Sequence, residues 1–415
     1  MTNVLERLGV TPVINACGPV TRLGGGLMEP EVAAAMVEAS RLCCDMLDLQ
    51  AASCRVIRRL TGAEAGIVTS GASAAVLLGT AACLAGLDPG RMNRLPEVRD
   101  GKREVIVVRS QRNMYDRALV VAGAELVEIG IPDRFSGPGV RDAAVWEIED
   151  AIGPQTAFVY YLAQSQSQPG LADVAAAAHC HGVPVLVDAA AQLPPAENLR
   201  AYLAAGADLV AFSGGKAIGG PQASGILCGR ADLVASALLQ MLDLDVRPDC
   251  WRPPQEFPAL AQARGLPHHG IGRSCKVGKE EIVGLLVALE RFAGCSPDER
   301  SARWIRVLQD AVDAAGTIER VTLTIDGSSP IPMLRLEAVH AAQIATSLRA
   351  GPPAIECGTA SVGSGVLTFS PVALAPEHGA IIGSRLRAIA SYSTSPGSAT
   401  SSSGQTGRLT RVQAR

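Results

Sequence analysis

The chain has 415 residues, 48% hydrophobic, 19% charged and only 3% aromatic, with a formal net charge of −3. That balance is too apolar for a disordered chain and too nearly neutral for a broad nucleic-acid-binding surface; it suits a large α/β domain with a smaller companion and a core of Ala, Val and Leu. The 11 cysteines form no Cys-x-x-Cys pair, so they read as reduced thiols and not as a disulfide framework or a zinc site. The first eight residues carry Glu6 and Arg7 without an apolar leader. The longest apolar run, residues 72–87, is shorter than the ~18 residues of a membrane span. A soluble, cytoplasmic protein is expected.

In chain order, residues 13–26 (VINACGPVTRLGGG) are extended and glycine-rich and lead into a helix over about residues 30–41. Residues 66–73 (GIVTSGAS) read as a short strand, a Ser-Gly turn and the start of a long Ala-rich helix. Such a turn presents unpaired backbone N–H groups at the positive end of a helix dipole, which is a seat for phosphate; the alternative is a plain N-cap at Ser70. Short apolar runs at residues 104–108, 125–129, 157–162, 183–187, 209–212 and 225–228 follow, with helical stretches such as 171–181 and 198–205 between them. This alternation predicts a mostly parallel sheet covered by helices on both faces, with ligands gathered at the C-terminal ends of its strands.

Beyond residue 281 the pattern changes. A helix over about 280–292, a charged break at 296–300, a second helix to about 314 and alternating stretches near 321–325 and 333–336 predict a small α+β domain. The expected organisation is an N-terminal segment (1–50), a large domain (51–290), a small domain (291–392) and a tail (393–415). The tail is rich in Ser, Thr and Gly and is expected to be disordered, because such a composition cannot bury a core.

The chemistry concentrates at SGGKAIGGP, residues 213–221, directly after the 209–212 strand. A lysine set among glycines at a strand end is placed to form a Schiff base with a carbonyl compound such as pyridoxal phosphate, and the glycines let a planar cofactor approach the backbone. Asp188 closes an earlier strand, where a carboxylate can keep the cofactor's ring nitrogen protonated. Ser213 stands three residues before Lys216, within reach of the phosphate seat at Ser70, Gly71 and Ala72. Gln192 follows Asp188 and is either a partner of the ring hydroxyl or a polar surface residue.

These stretches resemble the fold type I pyridoxal-phosphate family that includes bacterial selenocysteine synthase and the D-glucosaminate-6-phosphate ammonia-lyase group. The likeness is carried by INACGPVTRLGGG, LTGAEAGIVTSGASAA, RNMYDRA, LVDAAAQLPP, LVAFSGGKAIGGPQASGILCGR and GIGRSCKVGKEEIVGL, and spans roughly residues 10–290. The resemblance implies that Lys216 carries the cofactor, that Asp188 faces the ring nitrogen, and that Ser213 with Ser70, Gly71 and Ala72 holds the phosphate. It implies that Gln111 or Tyr115 stacks on the ring, that Gly220 approaches the phosphate of a neighbouring copy in a homo-oligomer, and that Asn15, Arg22 and Arg273 face the substrate. A guanidinium suits a carboxylate or phosphate through paired hydrogen bonds.

Two departures bear on function. Selenocysteine synthases usually carry an N-terminal helical extension that holds tRNA, whereas here the matching segment begins near Val13, so a nucleic-acid partner is not expected. Ser274-Cys275 stands beside Arg273 where the family more often shows Pro-Met. The expected activity is therefore that of a lyase, performing α,β-elimination on a hydroxy amino acid or amino-sugar acid with no metal. The alternatives are an L-seryl-tRNA(Sec) selenium transferase, a pyridoxal-phosphate aldolase or racemase, and a non-catalytic cofactor-binding scaffold.

Overall fold

A computed structural model describes residues 3–99, 101–131 and 143–393. The tail expected to be disordered lies, from residue 394 onward, outside the described residues. The described residues hold twelve strands: β1 (Val13–Ala16), β2 (Ala65–Thr69), β3 (Glu104–Val108), β4 (Glu125–Ile129), β5 (Thr156–Leu162), β6 (Val185–Asp188), β7 (Leu209–Ser213), β8 (Gly225–Gly229), β9 (Val321–Asp326), β10 (Met333–Ala338), β11 (Ala354–Cys357) and β12 (Val366–Phe369). Seven of them form one sheet in the order β2-β8-β7-β6-β5-β3-β4. All neighbours are parallel except β8, which runs antiparallel to both β2 and β7.

Strands β2, β6 and β8 are buried along their whole length, as expected for continuous Val/Ile/Leu runs covered on both faces. The helix Ala72–Ala85 packs against this sheet with almost every residue buried. Strand β2 is an edge, yet its backbone is not left bare: the buried Gln50 accepts from the Val68 N–H at 3.0 Å and donates to the Val68 carbonyl at 2.9 Å. A side-chain amide thus substitutes for a neighbouring strand.

A second core is built on β9, β10 and β12, an antiparallel sheet of order β12-β10-β9, with the helices Pro297–Ala315 and His378–Ser393. The N-terminal strand joins this core. Strand β1 pairs in parallel with β11, with Ala16 opposite Cys357, and Ile14 and Ala16 are buried among the small unit's side chains. The expected charged break at 296–300 is instead the first turn of the Pro297–Ala315 helix. Ser296 caps it, Pro297 occupies the first turn, and the Glu299 carboxylate accepts from the Ser296 N–H at 3.1 Å in a complete capping box. Proline, aspartate and glutamate there mark a helix start, because the first-turn N–H groups are free and the dipole favours acid.

One close approach fixes how the sheet meets the Ala72–Ala85 helix. Gly225 opens β8, and a Cβ on it would lie 2.4 Å from the Gly71 carbonyl carbon and 2.7 Å from the Ala72 nitrogen. Gly225→Ala should destabilise the fold by about 1–3 kcal/mol, as overpacking does. Denaturant unfolding measures it, and an unchanged midpoint would show that the strand and helix can part without cost.

Candidate active site

The register of three strands assembles the site. Thr69 of β2 and Ser213 of β7 both pair with Gly225 of β8, so the chain leaves the sheet on both sides of one glycine. On one side it runs through Ser70 and Gly71 into the helix at Ala72. Gly71 has φ +134°, and no atom lies within 4 Å of where its Cβ would stand, so this turn is open. The first-turn N–H groups of the helix have no partner within it, and they carry the positive end of its dipole. The Ser70 hydroxyl donates to the Cys275 carbonyl at 2.9 Å, which ties the turn to the 271–275 segment.

On the other side, Ser213 leads into the lysine loop. This loop is folded on itself, with the Gly220 N–H donating to Gly214 O and the Gly219 N–H to Lys216 O, both at 2.9 Å. Gly214 and Gly215 are required by space: Cβ atoms there would lie 2.2 Å from Ser224 Oγ and 2.6 Å from Gln222 Cα. Lys216 lines a cavity of about 510 Å³ between the segment 27–32, the helices Lys279–Gly294 and Pro297–Ala315, and residues 371–376. Burial lowers the Lys216 pKa from its ordinary value, and the negative charge of Asp188 partly opposes this.

Asp188 ends β6, only 5% exposed. Its Oδ2 accepts from the Tyr160 hydroxyl at 3.0 Å and its Oδ1 from the Ala190 N–H at 2.9 Å. Burial raises its pKa; those two donors and the charge of Lys216 pull it back down, and the nearby Asp116 adds to the rise. Asp208 provides a contrast. It too is buried, but it has Arg230 at 3.4 Å and His179 at 2.8 Å. Asp188 receives hydrogen bonds only from neutral groups among the described residues, so it is a buried acid whose charge is incompletely answered.

The remaining expected residues divide into separate groups. Gln111 is buried at the end of β5, where its Oε1 accepts from the Leu162 N–H at 3.0 Å and its Nε2 donates to Gln168 O at 3.4 Å. Tyr115 is exposed. Gln192 is half-buried beyond β6 and lines a different cavity. Asn15 does not stand free for a substrate: its amide donates to Gly18 O and Gly25 O, both at 2.8 Å, and holds the glycine-rich turn together. Arg22 pairs with Glu356 at 3.2 Å, linking that turn to β11. Arg273 pairs with Asp243 at 3.1 Å and lines a cavity of about 970 Å³ whose rim also carries Lys276 and Lys279. Through Cys275 it lies close in sequence to the partner of Ser70.

Two residues escaped the sequence reading. Tyr160 was hidden inside an apolar strand, although a buried tyrosine hydroxyl demands a partner and was itself a signal. Asp116 is buried; its Oδ2 binds Arg112 and the Asn113 N–H, while its Oδ1 is buried without a partner among the described residues.

Pyridoxal phosphate fits this donor set. A protonated pyridine nitrogen answers the unmatched charge of Asp188, an aldehyde suits a lysine whose neutral form is favoured by burial, and a phosphate suits free amides at a helix start. Fold and site together define a fold type I pyridoxal-phosphate-dependent enzyme. A family model described as SelA, L-seryl-tRNA selenium transferase, matches residues 13–249, more than half of the chain, and the chain belongs to that family. It is 30% identical over 400 residues to a 5′-C-glycyluridine monooxygenase-decarboxylase of Streptomyces sp, covering 90% of this chain and 88% of that one. It is 29% identical over 407 residues to the D-glucosaminate-6-phosphate ammonia lyase of Salmonella typhimurium, covering 94% and 98%. A solved structure of D-glucosaminate-6-phosphate ammonia-lyase superposes with a TM-score of 0.76 at 28% identity, covering 95% of this chain and 100% of that one. The L-seryl-tRNA(Sec) selenium transferase of Solidesulfovibrio magneticus is 32% identical over 270 residues, 57% of this chain and 52% of that one.

Covalent loading of the cofactor requires the neutral lysine. Its rate should rise with pH around a midpoint below 10.5, the ordinary lysine value. Asp188 holds the proton on Lys216, so Asp188→Asn should move that midpoint lower still. Stopped-flow absorbance of cofactor added to the cofactor-free protein reads both midpoints. Equal midpoints in the two proteins would mean that the acid and the amine do not sense each other.

Proposed function

We propose that this chain is a lyase that removes the amine and a β-hydroxyl from a hydroxy amino acid or amino-sugar acid, releasing ammonia and a keto acid. The observation that carries the reading is a half-buried lysine amine paired electrostatically with a buried acid bonded only to neutral donors, both at the C-terminal ends of adjacent strands. It is supported by a match to an ammonia lyase along nearly the whole length of both chains. When bound, pyridoxal phosphate supplies an electron sink for the charge released at the substrate's Cα.

In this reading Lys216 Nζ first holds the cofactor and then takes the proton from Cα. Asp188, braced by Tyr160 and Ala190, holds the ring-nitrogen proton. The Ser70-Gly71-Ala72 turn and Ser213 receive the phosphate. Gln111 or Tyr115 covers the ring, and Gln192 lies by its hydroxyl. Arg273 binds the substrate's carboxylate after giving up Asp243, while Asn15 and Arg22 shape the turn above the site. Loss of the Cα proton and the β-hydroxyl releases one water, and hydrolysis of the product takes one up, so the net change is loss of ammonia with no oxidant. A homo-oligomer, with Gly220 toward a second copy, belongs to the same proposal.

A second reading, selenium transfer to a seryl-tRNA, is favoured by the family model over residues 13–249. It requires tRNA binding that weakens steeply with salt. The discriminating assay incubates the cofactor-loaded protein with D- and L-hydroxy amino acids and amino-sugar acids, with ammonia and keto acid measured. Release from at least one is expected, falling to background in Lys216→Ala. Absence of keto acid from every candidate, with cofactor trapped on Lys216 by borohydride, would reject the lyase and leave the cofactor assignment standing; full activity in Lys216→Ala would reject both.

A further inference from the structure

Asp188 has a second buried acid in its vicinity. Beyond β3 the chain forms two short turns, Arg109–Gln111 and Met114–Asp116. Gln111 pins this segment to the end of β5: its Oε1 accepts from the Leu162 N–H at 3.0 Å, and Leu162 is the register partner of Asp188. Two residues earlier on β5, the Tyr160 hydroxyl donates to Asp188 Oδ2 at 3.0 Å. Asp116 ends the second turn and is only 4% exposed.

Four charged side chains meet at this segment. Arg112 binds both Asp116 Oδ2 and Glu128 of β4, and Arg109 donates to Glu128 at 2.9 Å. Two cations and two anions balance, but they are not equally placed. The side chains of Arg109, Arg112 and Glu128 are 45%, 31% and 34% exposed, so water screens them, whereas that of Asp116 is enclosed. Arg112 also divides its charge between two carboxylates, and Asp116 Oδ1 is buried with no partner among the described residues. The charge of Asp116 therefore reaches inward, to the Tyr160–Asp188 pair. Burial and then Asp188 raise the Tyr160 pKa, and Asp116 adds to that rise. Burial raises the Asp188 pKa; Ala190, Tyr160 and Lys216 lower it, and Asp116 is the acid that joins burial in raising it.

We propose that Asp116 is a positioning residue whose negative charge, acting through Asp188, favours a cationic cofactor ring over a neutral one. The proton concerned belongs jointly to Asp188 and the ring nitrogen, and a like charge close to Asp188 makes that pair hold it more firmly. This role rests on the placement of Asp188 against the ring nitrogen in the reading above, and does not depend on the elimination itself.

The test loads the protein with pyridoxal phosphate whose ring nitrogen is isotopically labelled for NMR, so that its chemical shift reports the ring proton directly. Asp116→Asn keeps the size of the side chain, and an oxygen acceptor for Arg112 and the Asn113 N–H, while removing the charge. Its ring proton should be held about tenfold less firmly, so the midpoint of the nitrogen signal falls by about one pH unit. Asp116→Glu retains the charge and should titrate as the wild-type protein does. Asn113→Ala removes the acceptor of the Tyr115 N–H and loosens the same turn without touching the charge. An equal fall in that variant would make Asp116 a turn residue and overturn the proposal. A second measurement needs no cofactor. The carbon NMR signal of the Asp188 carboxyl, identified by its absence from Asp188→Asn, should titrate at lower pH in Asp116→Asn than in the wild-type protein. If neither signal moves in Asp116→Asn, the role of Asp116 is overturned and the lyase reading is untouched. If the carboxyl moves and the ring does not, Asp188 does not face the ring nitrogen, and the proposal falls with that placement.

Discussion

A carboxylate that has left water must be answered by something. Asp188 sits at the end of an all-buried strand and is answered by a tyrosine hydroxyl and a backbone amide, both neutral. Isolated charge in such surroundings is costly, and the ordinary remedies are protonation or a cation. Among the described residues, the cation whose charge acts on it is Lys216, itself held toward its neutral form by burial. Each group therefore fails to neutralise the other fully, and the site is kept in electrostatic deficit. A protonated pyridine ring held against Asp188 would resolve that deficit.

The rest of the large sheet delivers these groups to one edge. Parallel strands point their C-terminal ends the same way, so Leu162, Asp188 and the parallel β7 end together without further instruction. The antiparallel β8 is the exception with a purpose. It inserts Gly225 between Thr69 and Ser213, and only a residue without a side chain lets the helix start come so near the lysine loop.

Much of this was legible in sequence because the signals are local. Short Val/Ile/Leu runs with helices between them announce a parallel sheet, and a lysine among glycines after such a run announces reactive chemistry. Asn15, Arg22 and Arg273 show where local reading stops. Each has the right chemistry for a substrate, yet Arg22 meets Glu356 from a distant part of the chain, and Asn15 spends its amide on its own turn. Arg273 meets Asp243 in the same way. Tyr160 and Asp116 were missed for the opposite reason: their importance comes from burial beside Asp188, which no spacing reveals. The helix start at Ser296 was legible in principle, since Ser-Pro-Asp-Glu is a capping sequence, but its charge was mistaken for a break.

The pairing of β1 with β11 couples two distant stretches of the polypeptide in time as well as in space. A ribosome releases Val13–Ala16 more than three hundred residues ahead of their partner, Ala354–Cys357. Until then the leading strand has no sheet to join, and its apolar residues Ile14 and Ala16 must be kept from adhering elsewhere. All seven strands of the large sheet have been made once β8 is reached, while the small unit waits for β11 and β12.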